Sequence, residues 1–410
     1  MEAGAAKPRA AVYQSLLVAL LSLNFGILFF DRNALNFLMP FVKPDLGLTN
    51  TQVGLTASAL SLSWAIAALV VGTAADRSGK RKAFLIACTV AFSLCSFLSG
   101  LASSFLMLFA ARLLMGTVEG GVAPVSQSMI AAAVPPERRG LAMGVTQNFG
   151  SNLLGSFVAP VMLVWFANTL GWHNAFFIAA LPGLMSALLL WLFVEEPHVP
   201  AKPPGDHDFL GHVKEIVLER NIVICVLMSV LLVSYLVTCW AFMPLFLTKT
   251  RGFDPTTMSW LMATLGVSAT AGSFAVSHLS DMIGRKPVMI GTSFLGVILP
   301  LGAMYFTGSA WALAAIFFFG WALTGILPLF MATVPSESVA PRHITTAMAL
   351  VMGMGEVLGG VFSPTLAGEA ADLMGLSAPL WIMIGLCTAA GVLAFALRET
   401  APAVVRARQA

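Results

Sequence analysis

Long apolar runs, each broken by a few glycines, prolines or charges, follow one another along almost the whole chain. A run of about 20 such residues is long enough to cross a bilayer as a helix. Twelve spans can be marked, roughly at 13–41, 52–75, 83–101, 105–131, 140–167, 174–194, 221–248, 256–279, 287–306, 310–333, 343–367 and 378–397. Most are joined by short loops punctuated with Gly and Pro. The exception is 195–220, which opens Glu195-Glu-Pro-His-Val-Pro-Ala-Lys-Pro-Pro-Gly-Asp and then predicts a short polar helix up to Arg220. It falls at mid-chain, with six spans on each side. The pattern predicts an all-α membrane protein with twelve transmembrane helices in two six-helix bundles. The expected divisions are a tail 1–12, a bundle 13–194, a linker 195–220, a second bundle 221–397 and a tail 398–410.

Composition sharpens this reading. The 410 residues are 58% hydrophobic and 10% charged, where a soluble domain carries about 25% charged residues. Mean hydropathy is +0.88. Cys88, Cys95, Cys225, Cys239 and Cys387 all fall in apolar segments with no metal-ligand spacing. Lys7 and Arg9 precede a first apolar run too long for a cleavable signal peptide. Of 22 Lys and Arg, Arg32 and Arg112 lie inside spans, Lys43, Lys249 and Arg251 share one side, and the other 17 fall opposite. The positive-inside rule then places both termini in the cytoplasm, in a multi-pass protein expected in a bacterial inner membrane.

The two halves repeat. Asp76-Arg77-Ser-Gly79-Lys80-Arg81 follows the second span, and Asp281-Met-Ile-Gly284-Arg285-Lys286 follows the eighth, 205 residues on. Asn152-x-x-Gly155-x4-Pro160 in the fifth span returns as Glu356-x-x-Gly359-x4-Pro364 in the eleventh, offset by 204. Parallel repeats of this kind place a substrate site between the halves, near the bilayer midplane.

Charges inside the spans are the candidate chemistry. An ionised residue at the centre of a membrane helix costs about 2.5–3.5 kcal/mol even on lenient insertion scales. The first span carries Phe29-Phe30-Asp31-Arg32-Asn33, and the fourth carries Arg112 and Glu119, seven residues apart. That spacing puts Arg112 and Glu119 on one helix face, roughly 10 Å apart along the axis. Such a face must look at protein, a partner charge or a water-filled cavity. A structural ion pair locking helices together and a transport pathway both satisfy it. Helix rise puts Asp31 at a depth nearer Arg112 than Glu119, so an Asp31–Arg112 contact is expected in at least one state of the protein. Gln147, Asn148, Ser151 and Asn152 are candidate polar lining, with Tyr235 and Trp240 in the seventh span and Glu356 in the eleventh. Gly150 and Gly155 are expected to serve close helix packing. No His-x-x-Glu-His set and no Gly-x-Ser-x-Gly in a span argues for an enzyme, and no metal or cofactor is expected.

The loop Gly72-Thr-Ala-Ala-Asp76-Arg77-Ser-Gly79-Lys80-Arg81, with its copy at Asp281, Gly284 and Arg285, resembles the signature of the major facilitator superfamily. The resemblance implies a latch that is broken and remade between two access states. Asp-Arg in the first span, Arg112-x6-Glu119 in the fourth and Pro135-Pro136-Glu137-Arg138-Arg139-Gly140 after it are similar to the anion:cation symporters of that superfamily. This implies a secondary transporter coupling a small organic anion to protons, functional as a monomer in the lipid bilayer. By the same resemblance Asp31 and Glu119 are proton sites, Arg32 reads a carboxylate and Arg112 couples them. Sugar-acid members show a tyrosine two residues before the Asp, where this chain has Phe29, and another where it has Trp64. A flatter, less hydroxylated carboxylate therefore fits better than a sugar acid. A Spinster-like exporter of lysolipid or amphipathic compounds shares the Asp-Arg and Arg-x6-Glu features and is the second expectation.

Overall fold

A computed structural model describes residues 6–196, 215–340, 343–402 and 404. Twelve long helical elements run through them. They are α1 (Ala6–Asp45), α2 (Asn50–Ser78), α3 (Arg81–Gly100), α4 (Phe105–Ala133), α5 (Leu141–Leu170) and α6 (Trp172–Phe193), then α7 (Arg220–Thr250), α8 (Pro255–Ile283), α9 (Arg285–Tyr305), α10 (Ala310–Ser338), α11 (Thr346–Met374) and α12 (Ala378–Ala394). This is the twelve-helix fold that the spans predicted. With no water to satisfy main-chain groups in a bilayer, a helix closing its own hydrogen bonds is the natural spanning element.

Packing divides the chain into two units. One holds Met1–Leu38 with Ser63–Pro203, and the other holds Met39–Leu62 with Pro204–Ala410. In the first unit, Leu17, Leu21, Phe92, Val125, Met129 and Leu190 form the centre of an apolar core shared by α1, α3, α4 and α6. In the second, α7 is the central helix, and most of its residues are buried.

Several helices depart locally from regular α geometry, α7 and α10 among them, and in two others the departures fall at matching places. In α5 the turns widen to π geometry over Val145–Phe149 and Ser151–Val158, and in α11 they do so over Gly355–Gly360. π turns are rare inside α-helices and frequent at functional sites. Within the first unit, α1 donates to the carbonyls of this stretch. Ser22 Oγ donates to the Val145 carbonyl at 3.1 Å and Asn33 Nδ2 to that of Gly155 at 3.0 Å. Contact between α1 and α5 needs glycine, because a Cβ on Gly150 would lie 2.1 Å from the Ser22 carbonyl oxygen. The second unit repeats the device between α7 and α11, where a Cβ on Gly359 would lie 2.6 Å from the Val230 carbonyl oxygen.

Carboxylates close the starts of α3 and α9 in the same way. Glu196 accepts from the Lys82 amide at 3.0 Å, and Glu399 accepts from the Arg285 and Lys286 amides at 2.8 and 3.1 Å. These main-chain donors have no partner inside their own helix. Gly79 and Gly284, just before them, turn with φ of +67° and +110°.

The second unit also gathers in the end of α1 and the start of α2. Asp372 on α11 accepts from the amides of Asn50 and Thr51 at 2.9 and 2.8 Å and from the Thr51 hydroxyl at 2.7 Å. About two turns further on, the Ser58 and Thr365 hydroxyls share a 2.8 Å hydrogen bond.

Candidate functional site

In the first unit the mid-span charges of α1 and α4 meet. Asp31 and Glu119 are fully buried and Arg112 is nearly so. Arg32 is the member that reaches accessible surface, with 16% of its side chain exposed. Its Nη1 stands 3.7 Å from Glu119 Oε2. The Arg32 guanidinium lies 5.7 Å from the Phe29 ring centre and 5.4 Å from that of Trp64. Two aromatic faces thus hold the cation by its quadrupole attraction while leaving its hydrogen-bonding edge open. Among the described residues, neither Glu119 oxygen accepts a hydrogen bond.

In the state described, Arg112 does not reach Asp31. Its Nη1 donates to the Arg32 carbonyl at 3.1 Å and contacts Met115 Sδ at 3.2 Å, while Nε and Nη2 find no acceptor among the described residues. Asp31 turns instead to α3, where Ser96 Oγ donates to its Oδ1. Consecutive residues on a helix point about 100° apart, so Asp31 and Arg32 cannot both face α4. The longer side chain takes Glu119. What results is a cluster of two basic and two acidic side chains in which, among the described residues, two donor nitrogens of Arg112 and both Glu119 oxygens have no hydrogen-bond partner.

Sequence reasoning missed the α3 side. Asn24 Oδ1, seven residues before Asp31, accepts from Thr89 Oγ1 at 3.1 Å and from Ser186 Oγ at 2.8 Å. Thr89 is seven residues before Ser96. Matched spacings of seven on two neighbouring helices were the available signal.

Other expected site residues are more dispersed. Gln147 and Asn152 are half-buried in the wide turns of α5, and the side chain of Asn148 lies outside the described residues. In the second unit, Tyr235 is fully buried and donates its hydroxyl to the Gly296 carbonyl at 2.8 Å, so that hydroxyl serves packing within the unit. Trp240 meets Trp321 edge-on at 5.4 Å. Glu356 is half-buried in the wide turns of α11, its Oε2 lying back beside Gly360. The side-chain surroundings of Gly72, Asp76 and Arg77 lie outside the described residues. Gly79, Lys80 and Arg81 form the turn into α3, with Arg81 buried. In the second copy, Arg285 pairs with Asp281 at 2.5 Å and with Glu337 on α10 at 3.1 Å.

Twelve long apolar helical elements, with buried charged side chains at mid-span on α1 and α4 of the first unit, define a polytopic membrane protein. A family model described as Major Facilitator Superfamily matches residues 21–248 and 229–410. The chain belongs to the Major Facilitator Superfamily. It is 26% identical over 383 residues to the hexuronate transporter of Bacillus subtilis (strain 168), covering 87% of this chain and 88% of that one. It is also 26% identical over 339 residues to a probable 4-methylmuconolactone transporter of Cupriavidus pinatubonensis, covering 80% and 78%. One relative is named as a carrier of hexuronate and the other as a probable carrier of 4-methylmuconolactone, in keeping with the likeness to anion:cation symporters. Among solved structures, an inward-facing, unoccupied bacterial homolog of the human lysosomal transporter Spinster matches with TM-score 0.73 at 21% identity, covering 93% of this chain and 95% of its own. At that identity the likeness concerns the fold.

Proposed function

We propose that this chain is a proton-coupled symporter of a small organic anion, a carboxylate flatter and less hydroxylated than a sugar acid, working by alternating access. The observation that carries this reading is the Arg32–Glu119 pair, with Arg32 partly exposed between two aromatic rings and Glu119 fully buried. A substrate carboxylate arriving at Arg32 competes with Glu119 for the same cation. A buried carboxylate stripped of its counter-charge costs several kcal/mol, and taking a proton removes that charge. Anion and proton therefore favour each other's binding, and Arg112, with unsatisfied donors beside both partners, links them. Aromatic walls in place of two tyrosine hydroxyls suit a planar acid. The 4-methylmuconolactone relative supports a lightly hydroxylated substrate, while the hexuronate relative supports the acid and not the low hydroxylation.

In this reading the halves 13–194 and 221–397 are the moving bodies, joined by 195–220, and Gly72, Asp76 and Arg77 latch them as Asp281 and Arg285 suggest by repetition. The charge asymmetry of the loops supports cytoplasmic termini in a bacterial inner membrane.

Proteoliposomes with an imposed pH gradient test the mechanism, using planar carboxylates as substrates. Glu119→Gln imitates the protonated form, so concentrative uptake is expected to vanish while counterflow exchange persists. Arg32→Ala is expected to weaken substrate binding by at least about thirtyfold, since truncating one partner of a buried charge pair costs about 2–5 kcal/mol. Gradient-driven accumulation by Glu119→Gln would move the proton site elsewhere in the cluster.

A further inference from the structure

The hydroxyls of α3 do not all behave alike. Ser93 Oγ donates to the carbonyl of Thr89 and Ser99 Oγ to that of Cys95, each four residues back. Thr89 Oγ1 makes the same bond to Leu85 while also meeting Asn24. Back-bonding of this kind is the ordinary fate of a helical hydroxyl. Ser96 departs from it, directing its hydroxyl across to Asp31 Oδ1.

We propose that Ser96 is a positioning residue for proton coupling, holding the Asp31 carboxyl on the α3 side of α1, apart from the Arg32–Glu119 pair. The proposal rests on the symport reading above and assigns a geometry to its second carboxylate. Asp31 and Ser96 are both fully buried. Asp31 Oδ2 has no hydrogen-bond partner among the described residues, and no cation there stands within ion-pair distance of it. The charged and titratable groups around it are Arg112 and Glu119 on α4, Cys95 on α3 and Arg32 on its own helix.

With Oδ1 held by the serine hydroxyl, Oδ2 can gain and lose a proton without moving the carboxyl. Two turns along the same seam, Asn24 accepts from Thr89 and Ser186, fixing α1 against α3 and α6 in the register that brings Ser96 to Asp31. Asp31 thus exchanges a proton without leaving its place, while the substrate carboxylate and Glu119 compete for Arg32.

The test is an infrared titration of the purified full-length protein, following the protonated-carboxyl stretch that Asp31→Asn removes. A hydroxyl donating to a carboxylate favours its ionised form. Ser96→Ala is therefore expected to move the midpoint of that band to higher pH by about one to two units. Ser96→Thr, which keeps the hydroxyl, is expected to retain the parent midpoint. In uptake assays the alkaline limb of the pH profile should follow the same order. An unmoved midpoint in Ser96→Ala, or the absence of any band tied to Asp31, overturns the proposal. Failure of the symport reading shows separately, as absence of gradient-driven uptake by the unsubstituted protein, while the infrared band still reports on Ser96.

Discussion

Arg32 is the residue on which the buried charges converge, and its neighbours shape what it can select. Phe29 and Trp64 stand at cation–π distance from it, so a substrate reaching the guanidinium passes two flat apolar faces. Trp64→Tyr would return a hydroxyl to one of them. Competition uptake is expected to shift toward hydroxylated sugar acids and away from planar carboxylates by about tenfold, the worth of one hydrogen bond. An unchanged preference order would remove Trp64 from the specificity argument. The charged members of the site, Asp31, Arg32, Arg112 and Glu119, were legible in the sequence because each is expensive in an apolar run. Their pairing was not. Depth along a helix axis could be estimated from residue counts, but the angle between Asp31 and Arg32 decided the partners. Ser96 was not legible either, since α3 carries several hydroxyls and only the fold distinguishes the one that abandons its own backbone.

The element scale is governed by the contact of α1 with α5. Wide turns in α5 change which main-chain carbonyls are satisfied within the helix, and Asn33 and Ser22 donate to two of them. Asn33→Ala removes the donor to the Gly155 carbonyl, and an unsatisfied buried acceptor costs about 1–3 kcal/mol. A lower melting temperature is expected in detergent, with substrate affinity changed less than stability. Equal loss of both would mean that Asn33 touches substrate instead. Close packing was expected at Gly150 and Gly155, and the backbone approaches there bear that out, with Gly359 making the same approach in the second unit. The widened turns themselves left no trace in the sequence. They depend on which carbonyl each amide chooses, a choice made by the helices packed alongside.

At the scale of the whole molecule, hydropathy and repetition were enough to read twelve spans in two sets of six. They did not foretell that Met39–Leu62 would group with the later half. That grouping comes from main-chain groups at the start of α2, whose donors carry no sequence signature, meeting one acidic side chain on α11. The Asp372 carboxylate takes three donors at once, and two of the three belong to the backbone. Substitution within α2 can therefore remove only the Thr51 hydroxyl, whereas Asp372→Ala removes every acceptor together. A cysteine at Ser58, buried and bonded to Thr365, would report the difference. Its labelling by a membrane-impermeant maleimide is expected to be slow in an otherwise intact protein and at least about tenfold faster with Asp372→Ala, since bonds to an ionised group contribute about 1.5–3 kcal/mol each. Equal labelling rates would show that the contact bears no load. In kinetic terms, if the proposed alternating access parts the start of α2 from α11, all three bonds must break and be remade, and Asp372 would set the dwell before opening; its loss is then expected to alter turnover while leaving the affinity of the Arg32 site where it was.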